Sequence, residues 1–246
     1  MLTAILSDIH GNREALEACL DDAARRGAQR LVFLGDFVGY GADPAWVIDR
    51  VRREVVAGAT ALRGNHDEAV FGGGAGMNPV ARAAIDWTRE QLDPDRLRFL
   101  ADLPLTADEG RILYVHANAW APGAWGYVTG PVEAERSLRC TGAHATFCGH
   151  THVPALFQMA SDRPAAGFRP VAGCPVPLLS QRRWLAVVPA VGQPRDGDAD
   201  AGYALLDTDR GVVTFHRVAY DIEAAARKIL AAGLPPRLAA RLFEGR

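Results

Sequence analysis

Five short apolar segments of this chain are each followed by side chains that can bind a metal ion. The segments are Leu2–Leu6, Leu31–Leu34, Ala59–Leu62, Ile112–Val115 and Thr146–Cys148. The polar motifs that follow them, in the same order, are Asp8-x-His10, Gly35-Asp36, Gly64-Asn65-His66-Asp67, His116 and Gly149-His150-Thr151-His152. Short apolar runs predict buried β-strands, and open α/β sheets bind ligands at the carboxyl ends of their strands. We therefore expect five strand ends to meet at one polar site.

Helical patterns alternate with these strands in the first two thirds of the chain. Asn12 is a predicted N-cap, and the apolar stripe after it stops near Gly27. Pro44 fits the first turn of a second helix, and Asn78-Pro79 is predicted to open another. The order strand, helix, strand, helix, strand favours packed α/β layers.

The pattern changes after His152, where antiparallel strands are predicted. These are Ala155–Met159, Trp184–Val188, Tyr203–Asp207 and Val212–Val218, and a helix at Ile222–Leu230 is expected to close the chain. Leu103–Thr106 is predicted to form a hairpin with Ile112–Val115, and Ser161–Pro177 an irregular excursion. With 246 residues and 49% hydrophobic content, we expect one domain, residues 1–246, with one sizeable core.

Charge and cysteine content exclude several classes of protein. The formal net charge is −2 and the signs are interspersed, so no basic stripe predicts nucleic-acid binding. The four cysteines form no Cys-x-x-Cys pair, which favours small buried side chains in a reducing cytosol over disulfides. No room for a cleavable signal precedes Asp8, and Leu185–Val191 is too short to span a bilayer. We therefore expect a cytoplasmic protein without a membrane segment.

The mixture of carboxylates and imidazoles limits the metals that the site would accept. Mn, Fe, Zn, Co and Ni accept both ligand types, whereas Mg and Ca prefer oxygen alone. In an extended segment, Asp8 and His10 point the same way and can bind one ion together. Asp36 is placed where one carboxylate could bridge two ions, and His150-x-His152 repeats the alternate spacing. Two divalent ions would give a positively charged site suited to a phosphoryl group.

These motifs resemble those of the calcineurin-like metallophosphoesterases, in the same order and at ordinary separations, over roughly residues 1–155. The stretch Val191-Gly192-Gln193-Pro194-Arg195 is also similar to the small bacterial and archaeal branch of that family. The resemblance implies an α/β fold in which two mixed β-sheets, flanked by helices, form a four-layer αββα sandwich. It implies a small phosphorylated substrate, a phosphodiester or phosphomonoester, and two divalent transition-metal ions, with Mn the first expectation.

The resemblance also implies the role of each site residue. Asp8, His10, Asp36 and His152 would hold one ion, and Asp36, Asn65, His116 and His150 the other. His66 would act as the general acid, donating a proton to the leaving group after a metal-bridging hydroxide attacks phosphorus.

The chain departs from the protein Ser/Thr phosphatase branch directly after the bridging Asp. That branch has Gly-Asp-x-Val-Asp-Arg-Gly, whereas this chain has Gly35-Asp36-Phe37-Val38-Gly39-Tyr40-Gly41. In that branch the second Asp orients the acid histidine and the Arg clamps the phosphate. Their absence favours diesters, although Arg63 or Arg195 could replace the clamp. Two alternatives stay open, which are a protein phosphatase and a metal-binding scaffold of the same fold without turnover.

Several further residues leave two interpretations open. Asp67 could orient the site or be a solvated loop acid, and Phe71–Gly76 could be a mobile lid or a plain linker. His144 and His216 lie outside every motif, and we expect the first in a loop or at a helix end and the second on the outer face of a strand.

Overall fold

A computed structural model describes residues 1–74 and 76–246 of the chain. Within these residues, twelve β-strands form two six-stranded sheets. In spatial order, the first sheet consists of β3 (Thr60–Ala61), β2 (Arg30–Phe33), β1 (Leu2–Leu6), β11 (Ala201–Asp207), β12 (Val212–Val218) and β9 (Val176–Pro177). The second consists of β4 (Thr106–Asp108), β5 (Ile112–Val115), β6 (Ala145–Cys148), β10 (Arg183–Val187), β7 (Ala155–Met159) and β8 (Ala166–Phe168).

Eight α-helices lie among the described residues. They are α1 (Arg13–Arg25), α2 (Pro44–Val56), α3 (Asn65–Gly72), α4 (Pro79–Glu90), α5 (Pro94–Asp102), α6 (Pro131–Arg139), α7 (Ile222–Ala231) and α8 (Pro236–Glu244). The predicted start of α1 is confirmed, because the Asn12 side chain accepts a hydrogen bond from the backbone N–H of Ala15 at 3.1 Å. Pro44 and Pro79 open α2 and α4, as their fixed φ angles predict.

Alternating side chains build the layers. In β1, Ile5 faces the second sheet and packs in one cluster with Tyr114 and Phe147. Leu6 faces the other way, in a cluster with Leu16 of α1. The far face of the second sheet packs on α6 in a third cluster. Helices, sheet, sheet and helices form four layers, and the predicted fold class is confirmed.

Both sheets are mixed, and the parallel pairs position the polar motifs. In the first sheet, β2 runs parallel to β1 and β3. In the second, β6 runs parallel to β5 and β10. The expectation of antiparallel strands after His152 holds for the pairs β7–β10 and β11–β12, but β10 also pairs parallel with β6.

Three predictions of local structure are wrong. The predicted hairpin with β5 is confirmed, but Leu103 directly follows α5 and β4 begins only at Thr106, so its first strand starts three residues later than predicted. The segment Ser161–Pro177 contains β8 and β9, which extend one edge of each sheet. The helix at Ile222 does not close the chain, because α8 follows it.

His144 and His216 lie away from the polar motifs. His144 lies in the turn before β6, as expected, and its Nε2 is 3.2 Å from the carbonyl oxygen of Leu179. His216 lies on the face of β12 that α1 covers, and its ring packs against that of Tyr203 at 5.2 Å, tilted by 32°. It is buried, not exposed on an outer face. No described helix is both long enough and apolar enough to cross a membrane.

Candidate metal centre

The loops after β1, β2, β3, β5 and β6 all open at the same end of the two sheets. The metal-capable side chains of Asp8, His10, Asp36, His116, His150 and His152 meet there and are all buried. Three of the five strands belong to the first sheet and two to the second. The site therefore spans the seam between the sheets, which brings together residues more than a hundred positions apart.

A first group consists of Asp8, His10, Asp36 and His152, whose ligand atoms lie within 4.8 Å of one another. Nε2 of His152 is 3.3 Å from Oδ1 of Asp8. Nε2 of His10 is 3.2 Å from Nε2 of His152 and 3.6 Å from Oδ2 of Asp36. Two carboxylates and two imidazoles thus surround one point.

A second group consists of Asp36, His116 and His150, again within 4.8 Å. Nε2 of His116 is 3.5 Å from Oδ2 of Asp36 and 3.2 Å from Nδ1 of His150. Oδ1 of Asn65 lies 3.2 Å from Nε2 of His116. Asp36 belongs to both groups, and its Oδ2 is buried without a hydrogen-bond partner among the described residues.

Each of the four imidazoles turns its other nitrogen to a backbone carbonyl. Nδ1 of His10, His116 and His152 lies 3.1, 3.1 and 2.6 Å from the carbonyl oxygens of Val38, Leu34 and Gln193. Nε2 of His150 lies 2.9 Å from that of Trp125. Because a carbonyl only accepts, each outer nitrogen must carry the hydrogen. In the neutral rings the inner nitrogens then face one another as lone pairs, which a cation between them would stabilise.

The ionisation of the site fits a cation as well. Burial lowers the pKa of His150 to about 3, and burial also lowers the pKa of His10, so both rings are neutral at pH 7. His116 differs, because burial opposes protonation but the Asp36 carboxylate raises the pKa of His116 to about 9. Metal binding would therefore release a proton from this ring.

Strained backbone surrounds the site. Five of its residues have left-handed φ angles of 50° to 64°, namely Asp8, His10, Asp36, His150 and His152. Such angles cost energy in residues other than glycine and cluster at functional sites. The glycines of the motifs allow close backbone approach, since a Cβ on Gly64 would lie 2.1 Å from Oδ1 of Asp36 and one on Gly149 1.9 Å from Oγ of Ser7.

Asp67 organises two of these loops. Its carboxylate is buried and accepts the backbone N–H groups of Asp36, Phe37 and Gly64 at 2.8 to 2.9 Å, and that of Val38 at 3.3 Å. It thereby ties the loop after β2 to the loop after β3. Of the two interpretations, a solvated loop acid is wrong.

Comparison with known proteins agrees with this geometry. Residues 1–211 match the calcineurin-like phosphoesterase superfamily domain. An uncharacterised protein of Methanocaldococcus jannaschii is 33% identical over 251 residues, which cover 100% of this chain and 98% of that protein. This chain belongs to the calcineurin-like phosphoesterase superfamily.

Solved structures agree with the family assignment. A metallophosphoesterase from Sphaerobacter thermophilus is similar with a TM-score of 0.88 and 37% identity, over 100% of this chain and 99% of that one. A hypothetical protein from Pyrococcus horikoshii shares the fold, with a TM-score of 0.80 and 20% identity over 100% and 98% of the two chains. Membership supports a phosphoric ester hydrolase with a divalent metal site.

His66 lies beside the first metal group of this calcineurin-like chain. Its ring packs edge-on against His10 at 4.8 Å and is tilted against Tyr40 at 4.5 Å. A Cβ on Gly39 would lie 2.4 Å from Nδ1 of His66, so position 39 has no space for a side chain. Among the described residues, nothing hydrogen-bonds to that nitrogen. Packing against Tyr40 and Gly39 thus fixes the ring of His66. In the protein Ser/Thr phosphatase motif, position 39 would instead be the Asp that orients the acid histidine.

The two candidate arginines differ in position. Nη1 of Arg63 donates to the carbonyl oxygen of Ala101 at 2.9 Å, which holds the side chain at the end of α5. The guanidinium carbon of Arg195 lies 5.6 Å from the ring centroid of Tyr40, and its Nη2 donates to Gln193 at 2.9 Å. Of the two, only Arg195 is beside the site.

Sequence reasoning missed the aromatic residues that border the site. A cleft of about 490 Å³ extends from Asn65, His66 and His150, and Trp125 and Tyr127 line it. Both belong to the loop between β5 and α6, whose position depends on contacts with His116 and His150. The motif Trp120–Tyr127 is rich in aromatics and glycine, and this was the available signal. The predicted glycine-rich loop borders the cleft at Gly72, Gly74 and Gly76, while its Ala75 lies outside the described residues.

Proposed function

We propose that this protein is a metal-dependent phosphoesterase that hydrolyses a small phosphodiester or phosphomonoester, with diesters favoured. The observation that carries the proposal is the arrangement of Asp36 between two pairs of imidazole nitrogens, each pair 3.2 Å apart. A divalent cation in each group would be held by these facing nitrogens and the unpartnered Oδ2 of Asp36, and in the second group it would displace the proton of His116.

The ligand assignment follows from the two groups. Asp8, His10, Asp36 and His152 would hold one divalent ion, and Asp36, Asn65, His116 and His150 a second. The mixed nitrogen and oxygen donors favour Mn, with Fe, Zn, Co or Ni as the other candidates. When bound, such ions supply Lewis acidity to the phosphoryl oxygens and lower the pKa of the attacking water.

His66 would hold the proton for the leaving group. It lines the cleft next to Asn65 and is absent from both metal groups. Burial lowers the pKa of His66 to about 4, so the ring of the free protein is neutral. A bound phosphate brings negative charge beside the ring and favours the protonated form. Packing against Tyr40 and His10 keeps the ring in place for the transfer.

The preference for diesters rests on the missing clamp. A monoester dianion has more charge to be held than a diester monoanion, and Tyr40 stands where the protein phosphatases have Arg. Arg195 stacks on that ring and donates to Gln193, which limits how it can grip a dianion. The absence of a basic stripe makes nucleic acid an unfavourable substrate. For the location of the protein, we propose the cytoplasm.

Hydrolysis of bis(4-nitrophenyl) phosphate by the Mn-loaded protein tests the proposal. We expect release of nitrophenol that stops on chelation and is restored by Mn. The matched control is the Asp36→Asn variant, which removes the shared carboxylate without changing its size. A scaffold of the same fold would bind Mn and release no nitrophenol, and that result would overturn the proposal.

Substrate order separates the diesterase from a protein phosphatase. We expect kcat/KM to fall in the order bis-aryl phosphate, mono-aryl phosphate, phosphoserine peptide, all measured with Mn. If the phosphopeptide is hydrolysed faster than the diester, the protein phosphatase alternative is correct.

A further inference from the structure

The cleft beside the metal centre is lined by two kinds of apolar side chain. Trp125 and Tyr127 are aromatic, whereas Met77 and Ala81, from the segment before α4 and its first turn, are aliphatic. Asn65, His66 and His150, which lie at the proposed metal centre, line the same cleft. A group attached to a phosphate at that centre would therefore meet both aromatic and aliphatic surface.

Tyr127 uses only part of its aromatic surface within the protein. Its ring stacks on His150 with a centroid distance of 4.2 Å and an interplanar angle of 16°. The residue is nevertheless 52% exposed. The Tyr127 ring covers the buried side chain of His150, a proposed metal ligand, yet the residue stays exposed, and core packing alone explains this poorly. It offers a flat surface next to the proposed reaction site.

Trp125 lines the cleft beside Tyr127 at a cost in backbone energy. Its φ of 56° lies in the left-handed region, where residues other than glycine are strained. Its carbonyl accepts the hydrogen bond of His150, and its ring meets His116 edge-on at 5.8 Å. Asn118 braces the loop, since its side chain donates to Gly126 and accepts from Ala121. The two aromatic residues of the cleft thus contact two proposed metal ligands, His116 and His150.

We propose that Trp125 and Tyr127 form a stacking platform for the nucleobase of a nucleoside-containing phosphodiester. This inference rests on the proposed function and specifies its substrate class. The volume of about 490 Å³ is large enough for one nucleotide unit. Bases stack on aromatic side chains and pack against apolar ones, which matches the aromatic and aliphatic residues that line the cleft.

The polar groups of the cleft favour binding of a single nucleobase over binding of a nucleic-acid polymer. The side-chain oxygen of Asn78 caps α4 by accepting the backbone N–H of Ala81 at 3.0 Å, and the side chain is exposed, so its amide nitrogen is open to solvent. That nitrogen is available for a ring acceptor of the base. The described residues that line the cleft include neither Lys nor Arg, so a long phosphate backbone has no counter-charge there.

Binding of two ligands that differ only in the base tests the platform without a mutation. Mn-loaded protein is titrated by calorimetry with AMP and with ribose 5-phosphate, with free phosphate measured to confirm that both remain intact. Stacking on an aromatic side chain predicts AMP to bind about 5- to 150-fold more tightly. Equal affinities would overturn the inference.

Variants locate the preference on the platform. Tyr127→Ala should remove most of the AMP preference, Tyr127→Trp should keep it, and Phe243→Ala, at a residue 54% exposed elsewhere, should leave it unchanged. The metal content of each variant is measured as well. If Tyr127→Ala lowers the metal content, the AMP preference is measured in Trp125→Phe and Met77→Ala instead. An AMP preference that survives every change in the cleft would overturn the inference. If the protein hydrolyses bis(4-nitrophenyl) phosphate but binds AMP and ribose 5-phosphate equally, the stacking platform is rejected and the phosphoesterase proposal stands.

Discussion

His66 is the residue whose proposed role depends most on its surroundings. It directly follows the proposed ligand Asn65, the family resemblance implies an acid and not a ligand there, and His66 is absent from both metal groups. Its surroundings are Tyr40, His10 and the bare backbone of Gly39. Shape, not a partner carboxylate, orients the ring.

Replacing His66 by Asn should separate proton donation from metal binding. We expect His66→Asn to retain the metals and to lower turnover by about 10²–10⁴, the usual effect of a positioned acid. The loss should be smaller for nitrophenyl esters, whose leaving group needs little protonation. An equal loss for nitrophenyl and alkyl esters would contradict the acid role, and loss of metal would make His66 a ligand.

Asp36 should control both ions, since it belongs to both groups. Its Oδ1 accepts the backbone N–H of His66 at 2.8 Å, a bond that Asn can keep. Asp36→Asn should therefore fold and still weaken the whole centre, whereas His152→Ala should chiefly affect one ion. Metal analysis after dialysis measures this, and two retained equivalents with unchanged affinity in Asp36→Asn would disprove the bridging assignment.

At the scale of elements, the site depends on loops that leave strands at sharp, strained angles. The Asp67 carboxylate, at the first turn of α3, holds four N–H groups from the loops after β2 and β3. The proposed ligand Asp36 lies in the first of those loops, and the proposed ligand Asn65 begins α3 directly after the second. A buried carboxylate in the first turn of a helix thus fixes the two loops that lead to the proposed centre.

Asp67→Asn tests this organisation. Asn has one acceptor oxygen where four N–H groups converge, and its own NH₂ group would face donors. We expect the free energy of unfolding to fall by about 2–4 kcal/mol, since each buried donor left unpaired costs about 1–3 kcal/mol. Urea unfolding measures it, with the exposed Asp162→Asn as a control expected to change stability by less than about 0.5 kcal/mol. Equal stability of both variants would contradict the organising role.

At the scale of the whole molecule, the last helix reaches the neighbourhood of the site. The family match ends at residue 211, yet α7 and α8 pack with α4 and Tyr40 in one apolar cluster. Leu238 of α8 is fully buried there. Tyr40 in turn contacts His66, so the end of the chain supports the ring that we propose as the acid. That residues 1–246 form one domain stays a prediction.

Leu238→Ala should lower the free energy of unfolding by about 2–5 kcal/mol, the range for a buried Leu that leaves a cavity. Leu230→Ala, at a residue 52% exposed on α7, is the control and should change it by less than about 0.5 kcal/mol. Thermal or urea unfolding of both variants decides. If the two behave alike, α8 is not docked on the cluster in solution.

The sequence by itself determined the strands that lead to the site, because short apolar runs ending in polar motifs follow from local chemistry. It also determined the fold class, through the alternation of strand and helix patterns. Shifted or missed elements, such as β4, β9 and α8, depend on pairing and packing partners that no local pattern contains.

Only the tertiary structure decided how the motifs meet. The facing nitrogens of His10 and His152 lie 142 positions apart in sequence, and their lone pairs point together because distant carbonyls hold the outer nitrogens. The contact of Tyr127 with His150 likewise depends on a loop held by side chains and carbonyls. Sequence determines which groups are available, but long-range hydrogen bonds and packing across the seam of two sheets determine where each one points.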